Sequence, residues 1–336
     1  MSSGTPVHVI VDGCRGASES RVSGGLTRMP ASQKRRIVDA HLHLYDHEAN
    51  RHDFLESVDE TFLALVGDYS ALPRKYLFDD YLAEAATLQI DGIVWNEFLS
   101  SDPLREVQWA QAMAARLPVP MSIVGLVDFL NPDLEANLEA YAQCPNVTAV
   151  REHLGWDDDH PLRRMSKRPD LLTDPEWRKG LGVLRNYNFK CSLEIFATQL
   201  PELLSVAKLY PEIGFTIAVM GWPQAVDNNS FTRWKQDLTA LSACDNTRIV
   251  ISAIECIFGM KWSVPQAQPW VDTVFELFGT KRTMFGSHRP ISGLSRSFAS
   301  VYAGYEELTA GLTESEQDAV FRRNAAEWFR LPGVAA

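Results

Sequence analysis

No apolar run in this chain approaches the ~20 residues that a membrane-spanning helix requires, so nothing in it reads as a transmembrane segment. Cysteine is scarce. The five residues Cys14, Cys144, Cys191, Cys244 and Cys256 form an odd set without a CxxC pair. That excludes a disulfide framework and a zinc ribbon, and it fits thiols kept reduced, as in the cytoplasm. Basic residues are outnumbered, with 32 Lys and Arg against 43 Asp and Glu and a net charge of −11. A surplus of this sign argues against nucleic acid or anionic membrane as a partner. No glycine-rich phosphate motif of the GxGxxG or GxxxxGK[ST] kind follows any apolar run, so a nucleotide-binding fold gains no support. No repeat of solenoid period is present. The apolar stretch from Val7 to Val11 is shorter than the ~7–15 residues of a signal-peptide core, and residues 1–35, rich in Ser, Gly and Arg, read as a flexible leader.

What is present is alternation. Short β-type runs at 36–43, 92–98, 121–129, 147–153, 190–196, 214–220, 248–254 and 283–287 are separated by longer helical segments. Many of the runs are apolar on both faces, as in buried parallel strands. Asp102-Pro103, Asn131-Pro132 and Asp174-Pro175 each set a cap residue before a proline suited to a first helical turn. Thr313 and Glu316 form a capping-box pattern ahead of a last helix, expected to pack on the exterior. Eight strand–helix units predict an α/β fold of the (β/α)₈ TIM-barrel type over residues 36–336. The stretches 44–76 and 155–174 follow the first and fourth strands and are candidate lids.

In such a barrel the C-terminal strand ends form the catalytic mouth. The first strand reads Val38-Asp39-Ala40-His41-Leu42-His43. A period of two puts Asp39, His41 and His43 on one face, a costly arrangement in a buried strand unless it serves a site. Two imidazoles there can relay protons, polarise a carbonyl or bind a metal. Arg151 and His153 share a face at the end of the fourth run. The arginine suits a substrate carboxylate or enolate, and a structural ion pair is the competing reading. Glu97 and Glu194 lie in apolar runs, each as a buried acid of raised pKa or as an ion-pair member. Tyr45 is a candidate cap for the pocket, and Trp222 one of several tryptophans near strand ends.

Taken together these segments resemble the amidohydrolase-related family, in particular its sugar-lactonase and pyrone-dicarboxylate lactonase branch. VDAHLHLYD is similar to its opening strand, CSLEIFATQL to its fifth strand and PEIGFTIAVMGWP to its sixth. TMFGSHRP is similar to its eighth strand, and Asn324-Ala325 to its closing helix. The resemblance spans about residues 36–331. It implies a barrel hydrolase for a small-molecule substrate, with Arg151 and Arg289 holding an acidic group. The departures are as informative. Val219 stands where the family usually has a strand-6 His, Ala218 where it has the Asp before it, and Val250 where a strand-7 Lys is common. His288 stands where the family has the strand-8 Asp that binds metal and activates water. His41 and His43 alone are short of the three protein ligands normal for catalytic zinc, so no metal or other cofactor is expected, with zinc at His41 and His43 the less favoured arrangement.

The sequence therefore predicts a hydrolase opening a lactone or similar activated cyclic ester, with His288, His41, His43 and Glu194 as catalytic candidates. Arg151, His153, Glu97, Tyr45, Trp222 and Arg289 are the substrate-binding candidates. Ser287 is not expected to pair with His288, since adjacent strand residues point oppositely. The competing readings are a non-hydrolytic decarboxylase, isomerase or cyclase acting on a phenolic or polyketide-like substrate, and a binding protein without catalysis. A homodimer is left open.

Overall fold

Apart from its first residue, the chain is described over residues 34–334 by a computed structural model. The expected leader lies almost wholly outside these residues. Eight parallel strands run in one sheet in chain order: β1 (Arg35–Leu42), β2 (Leu88–Asn96), β3 (Met121–Leu126), β4 (Val147–His153), β5 (Lys190–Glu194), β6 (Phe215–Ile217), β7 (Thr247–Ile251) and β8 (Thr283–Phe285). All eight expected runs are strands, and helices follow between them, as right-handed β-α-β crossovers require.

The sheet closes through its loops. His288 N donates to His41 O at 2.7 Å, and His43 N to Arg289 O at 2.7 Å. Leu42 and Arg289 form an isolated parallel bridge. A side chain at Gly286 would place a Cβ 2.5 Å from His41 Cβ, so only glycine lets β8 approach β1 this closely.

Strand ends differ from expectation at the mouth. β6 stops at Ile217, and Val219, Met220, Gly221 and Trp222 all have positive φ, from 33° to 71°. Positive φ is strained for bulky residues, β-branched valine above all. Here it is held by Trp222 N donating to Val219 O and Trp234 Nε1 to Met220 O. β7 likewise ends before Ala253, at φ 50°, where a helix, Ile254–Phe258, begins at once.

The helix caps at Asp102 and Asp174 form as expected, each side chain accepting from N–H groups of the first turn. Asn131 instead accepts from Asp133 N, and its helix starts later, at Leu134. Thr313 and Glu316 make the capping box.

The last helix corrects the expectation of an exterior position. Ala325, Ala326, Phe329 and Leu331 pack with Val38, Val94, Val124, Ala149, Val250 and Met284. These valines, Ala149 and Met284 face the lumen, so the closing segment plugs the bottom of the barrel. The composition explains it: small and apolar residues fit the end of a filled barrel.

Candidate active site

One extra residue in β1 sets the phase of the site. Asp39 pairs with Ile93 and Leu42 with Trp95, so three steps of β1 oppose two of β2. Before this bulge Val38 and Ala40 face the lumen; beyond it His41 and His43 do. Asp39 is consequently on the outer face, correcting the shared-face reading, because a bulge re-aims side chains. It accepts from Tyr81 Oη at 3.0 Å, Ser287 N at 2.7 Å and His41 N at 3.2 Å. Burial pushes its carboxyl up to about 6 against these bonds. Its part is to tie β1 to the β8 loop.

A cavity of about 290 Å³ opens at the C-terminal ends of the strands. Every strand but the third contributes a residue from its end. His43, Arg151, His153, Glu194 and His288 form the polar floor. Val219, at the position where the resemblance places a histidine, faces the same space.

Three imidazoles meet here. The ring centroid of His41 lies 5.1 Å from that of His43 and 4.9 Å from that of His288, and the latter two are 5.5 Å apart. One nitrogen of each lies within 4.8 Å of the other two. His43 Nδ1 is 3.1 Å from the carbonyls of both Asn96 and Glu97. Carbonyls only accept, so Nδ1 carries the hydrogen and Nε2 keeps its lone pair. His288 Nδ1 is 2.7 Å from Glu255 Oε1, which frees its Nε2 in the same way. His41 Nδ1 meets Ser252 Oγ at 2.8 Å, and its Nε2 is buried without a partner among the described residues. Burial, reinforced by the neighbouring imidazoles and Arg151, pushes His41 well below the usual histidine range. Burial and Arg151 bring His43 down to about 3. Both rings are therefore neutral at physiological pH.

Beside them lies a closed ring of charges. Arg151 bonds Glu97 Oε1 through Nε and Glu194 Oε1 through Nη1 at 2.9 Å. His153 bonds Glu97 Oε1 through Nε2 at 2.7 Å and Glu194 Oε2 through Nδ1 at 2.6 Å. Each cation thus touches both carboxylates. Burial opposes ionisation of both glutamates, but Arg151 and His153 overcome it and hold them below the carboxylate range. The raised-pKa reading of Glu97 and Glu194 is thereby corrected in favour of ion pairing. For His153 burial is outweighed by the two glutamates, chiefly Glu194, and it is raised to about 9.

Two expected binding residues stand elsewhere. Arg289 is buried on the far side of the seam, with Nη2 2.9 Å from Glu84 Oε2 and its guanidinium over Phe298. Tyr45 donates to Pro73 O and packs behind Phe98, 4.6 Å between centroids, so it backs the wall rather than forming it. Glu97 lies beneath the floor, reaching the cavity only through Arg151 and His153. Trp222 lines the cavity. Ser287 turns from His288 as expected, its Oγ accepting from Arg289 N.

Both candidate lids reach the mouth. The first supplies helix Glu60–Val66, and the second supplies Arg164 and Met165. The helix packs against the turn Pro161–Arg163 of the second lid. Sequence reading missed Glu255 and Ser252. Glu255, in IVISAIECIF, is a lone acid in an apolar run, the same signal that singled out Glu97 and Glu194.

An eight-stranded α/β barrel with imidazoles and ion pairs at its C-terminal mouth is the architecture of a barrel enzyme. The family model described as amidohydrolase matches residues 38–331, and the chain belongs to that family. It is 28% identical to an uncharacterized protein, y4mH, of Sinorhizobium fredii, over 88% of this chain and 98% of that one. It is 23% identical to an L-fucono-1,5-lactonase of Burkholderia ambifaria, over 62% of this chain and 68% of that one. Among solved structures, an amidohydrolase of Burkholderia multivorans with bound zinc superposes with TM-score 0.72 at 19% identity, covering 89% of this chain and all of that one. Fold neighbours also include a putative 2-pyrone-4,6-dicarboxylic acid hydrolase of Pseudomonas putida (TM-score 0.65, 18% identity, 88% of this chain and 97% of that one). A 2,6-dihydroxybenzoate decarboxylase is another (TM-score 0.59, 12% identity, 90% of this chain and all of that one). Among the described residues no helix is long and apolar enough to cross a membrane.

Proposed function

We propose that this protein hydrolyses a lactone or similar activated cyclic ester, with His288 as general base. The observation that carries the reading is the His288–Glu255 pair at the cavity floor. Glu255 fixes the ring with Nδ1 protonated, so that Nε2 presents a lone pair to the cavity. A water molecule gives a proton to Nε2 as its oxygen bonds to the ester carbonyl carbon. The carbonyl oxygen gains the negative charge. When the ring C–O bond breaks, the same proton passes from His288 to the leaving oxygen, giving the open hydroxy acid. Arg151 lines the cavity and has five N–H groups, three of them bonded to Glu97 and Glu194. The other two are suited to the oxyanion, where preorganised donors contribute most. Glu97 and Glu194 keep the guanidinium in place, and His153 bridges the same two carboxylates.

His41, His43 and His288 also fit a divalent cation. They supply three nitrogens within 4.8 Å, His41 Nε2 buried without a partner, and Nδ1 contacts that orient the rings. A zinc ion held there would act as a Lewis acid on the carbonyl. The base and the oxyanion partner proposed here are both supplied by the chain without it.

The kinship with a protein named L-fucono-1,5-lactonase supports a cyclic ester as substrate class. The test is a lactone panel read by mass spectrometry. The expected product gains the mass of one water. Loss of carbon dioxide from a phenolic acid, with no lactone opened, would replace this reading by a decarboxylase.

A further inference from the structure

We propose that the ring accepted here is a largely apolar one, an aryl-fused or alkyl-substituted lactone, rather than a polyhydroxylated sugar lactone or a pyrone bearing carboxylates. The inference rests on the hydrolytic reading above. The cavity faces its polar floor with Phe62, Leu65 and Val66 of the first lid, Met165 of the second, and Phe98 and Trp222 at strand ends. Leu65, Met165 and Trp222 belong to one apolar cluster with Phe196, Val219 and Ala253. Trp222 meets Phe196 edge-on at 5.4 Å, a packed wall rather than a loose one.

Several polar groups around the same space already have protein partners. His153 commits both ring nitrogens to glutamates. Arg164 donates through Nε and Nη2 to the Asp157 and Asp158 carbonyls, at 3.0 and 2.9 Å, and stacks over Trp156. Asp59 Oδ1 caps the lid helix by accepting from Phe62 N at 2.8 Å. What remains for a ligand among the described residues is the Nε2 atoms of His43 and His288, two N–H groups of Arg151, three of Arg164, the unpartnered Trp222 Nε1, Asp59 Oδ2 and the Thr61 hydroxyl. The imidazoles and Arg151 serve the ester group and the attacking water, and the wall facing them is mainly apolar.

A sugar lactone carries a hydroxyl on most ring carbons. Each loses water on entry and needs a partner that the apolar wall does not supply. A dicarboxylate needs positive charge in excess, whereas the lining acids Asp59 and Glu194, with Glu97 beneath the floor, equal Arg151, His153 and Arg164 in number. The volume of about 290 Å³ lies at the small end of ligand pockets, ~300–1,000 Å³, and suits one or two fused rings.

The test compares kcat/KM of the full-length chain for dihydrocoumarin and δ-nonalactone with that for L-fucono-1,5-lactone and 2-pyrone-4,6-dicarboxylate. The expected preference for the apolar pair is about 100-fold, within the range by which apolar pockets discriminate. An equal or greater kcat/KM for the polar pair overturns the proposal. Leu65→Asn is expected to narrow the preference about tenfold; Met165→Gln serves if that variant does not fold. An unchanged ratio in the folded variant also overturns it. If no lactone is opened, the hydrolytic reading fails on its own, and calorimetry decides the ring class. Tighter binding of the carbocyclic ketone analogue of dihydrocoumarin than of a hydroxylated lactam supports the apolar ring. The reverse order, or no binding by either, overturns it.

Discussion

His288 and Glu255 stand 33 residues apart in the chain and 2.7 Å apart in the fold, each just beyond the end of its own strand. The helix that starts at Ile254 immediately after β7 carries the glutamate under the imidazole. This carboxylate orients the ring for which the sequence alone offered no partner.

Substituting His288 by Ala is expected to lower kcat by ~10²–10⁴-fold, the range for loss of a general base. Glu255→Gln should also lower kcat, by loss of the charge that supports the imidazolium. If the two residues act as a unit, the double variant is no slower than His288→Ala alone. Steady-state kinetics of the three proteins checks this, and additive losses would separate the residues.

Catalysis is expected to survive exhaustive chelation, because the proposed base and oxyanion partner belong to the chain. Elemental analysis of the purified protein should be run on the same sample. One zinc per chain, with activity lost on chelation and regained on adding zinc, would assign the three imidazoles to a metal instead.

The ring of Glu97, Arg151, Glu194 and His153 makes stability depend on pH with a definite sign. His153 is raised to about 9 in the folded state, from about 6.5 when unfolded. The folded protein holds this proton more tightly, so the stabilisation is complete below about pH 6.5 and is lost as pH rises through about 9. The contribution is on the order of 2–3 kcal/mol. Glu152, which burial raises to about 8, adds a loss of the same sign over a range that starts lower. Urea unfolding at pH 6.5 and 9.5 should therefore show a smaller decline in His153→Gln than in the unaltered protein. Equal declines would remove His153 from the linkage.

Arg151→Met should be among the most destabilising changes, by about 3–5 kcal/mol, because it leaves two buried carboxylates, Glu97 and Glu194, with His153 as the one cation between them. Denaturant unfolding near neutral pH measures it. A cost below 1 kcal/mol would show that the carboxylates are easily re-solvated.

Gly286→Ala should cost ~1–3 kcal/mol through overpacking and should open the seam between β1 and β8, since the new Cβ falls 2.5 Å from His41 Cβ. His288 moves with that seam, so kcat should fall while most lid contacts remain. Thermal unfolding and kinetics of this variant are the check; unchanged kcat would show that the seam and the site are uncoupled.

The order of eight strands, and the placement of His41, His43, Arg151, His153, Glu194 and His288 at their ends, was legible in the chain. Alternation of short apolar runs with capped helical segments is a local signal, and parallel strands bury both faces. What tertiary structure alone decided are matters of phase and pairing. The bulge after Asp39 turned that residue outward and the two histidines inward, and no local pattern marks one extra residue against a partner strand. Arg289 left the pocket for Glu84, and Tyr45 withdrew behind Phe98. Glu97 and Glu194 became ion-pair members rather than raised acids, because their state depends on Arg151 and His153, which lie far from both in sequence. The closing helix reads as a packed terminal helix in either setting, and only the lumen it plugs distinguishes bottom from exterior. Periodicity tells a chain which face of each element to bury, but which charge meets which is set only when distant strand ends converge.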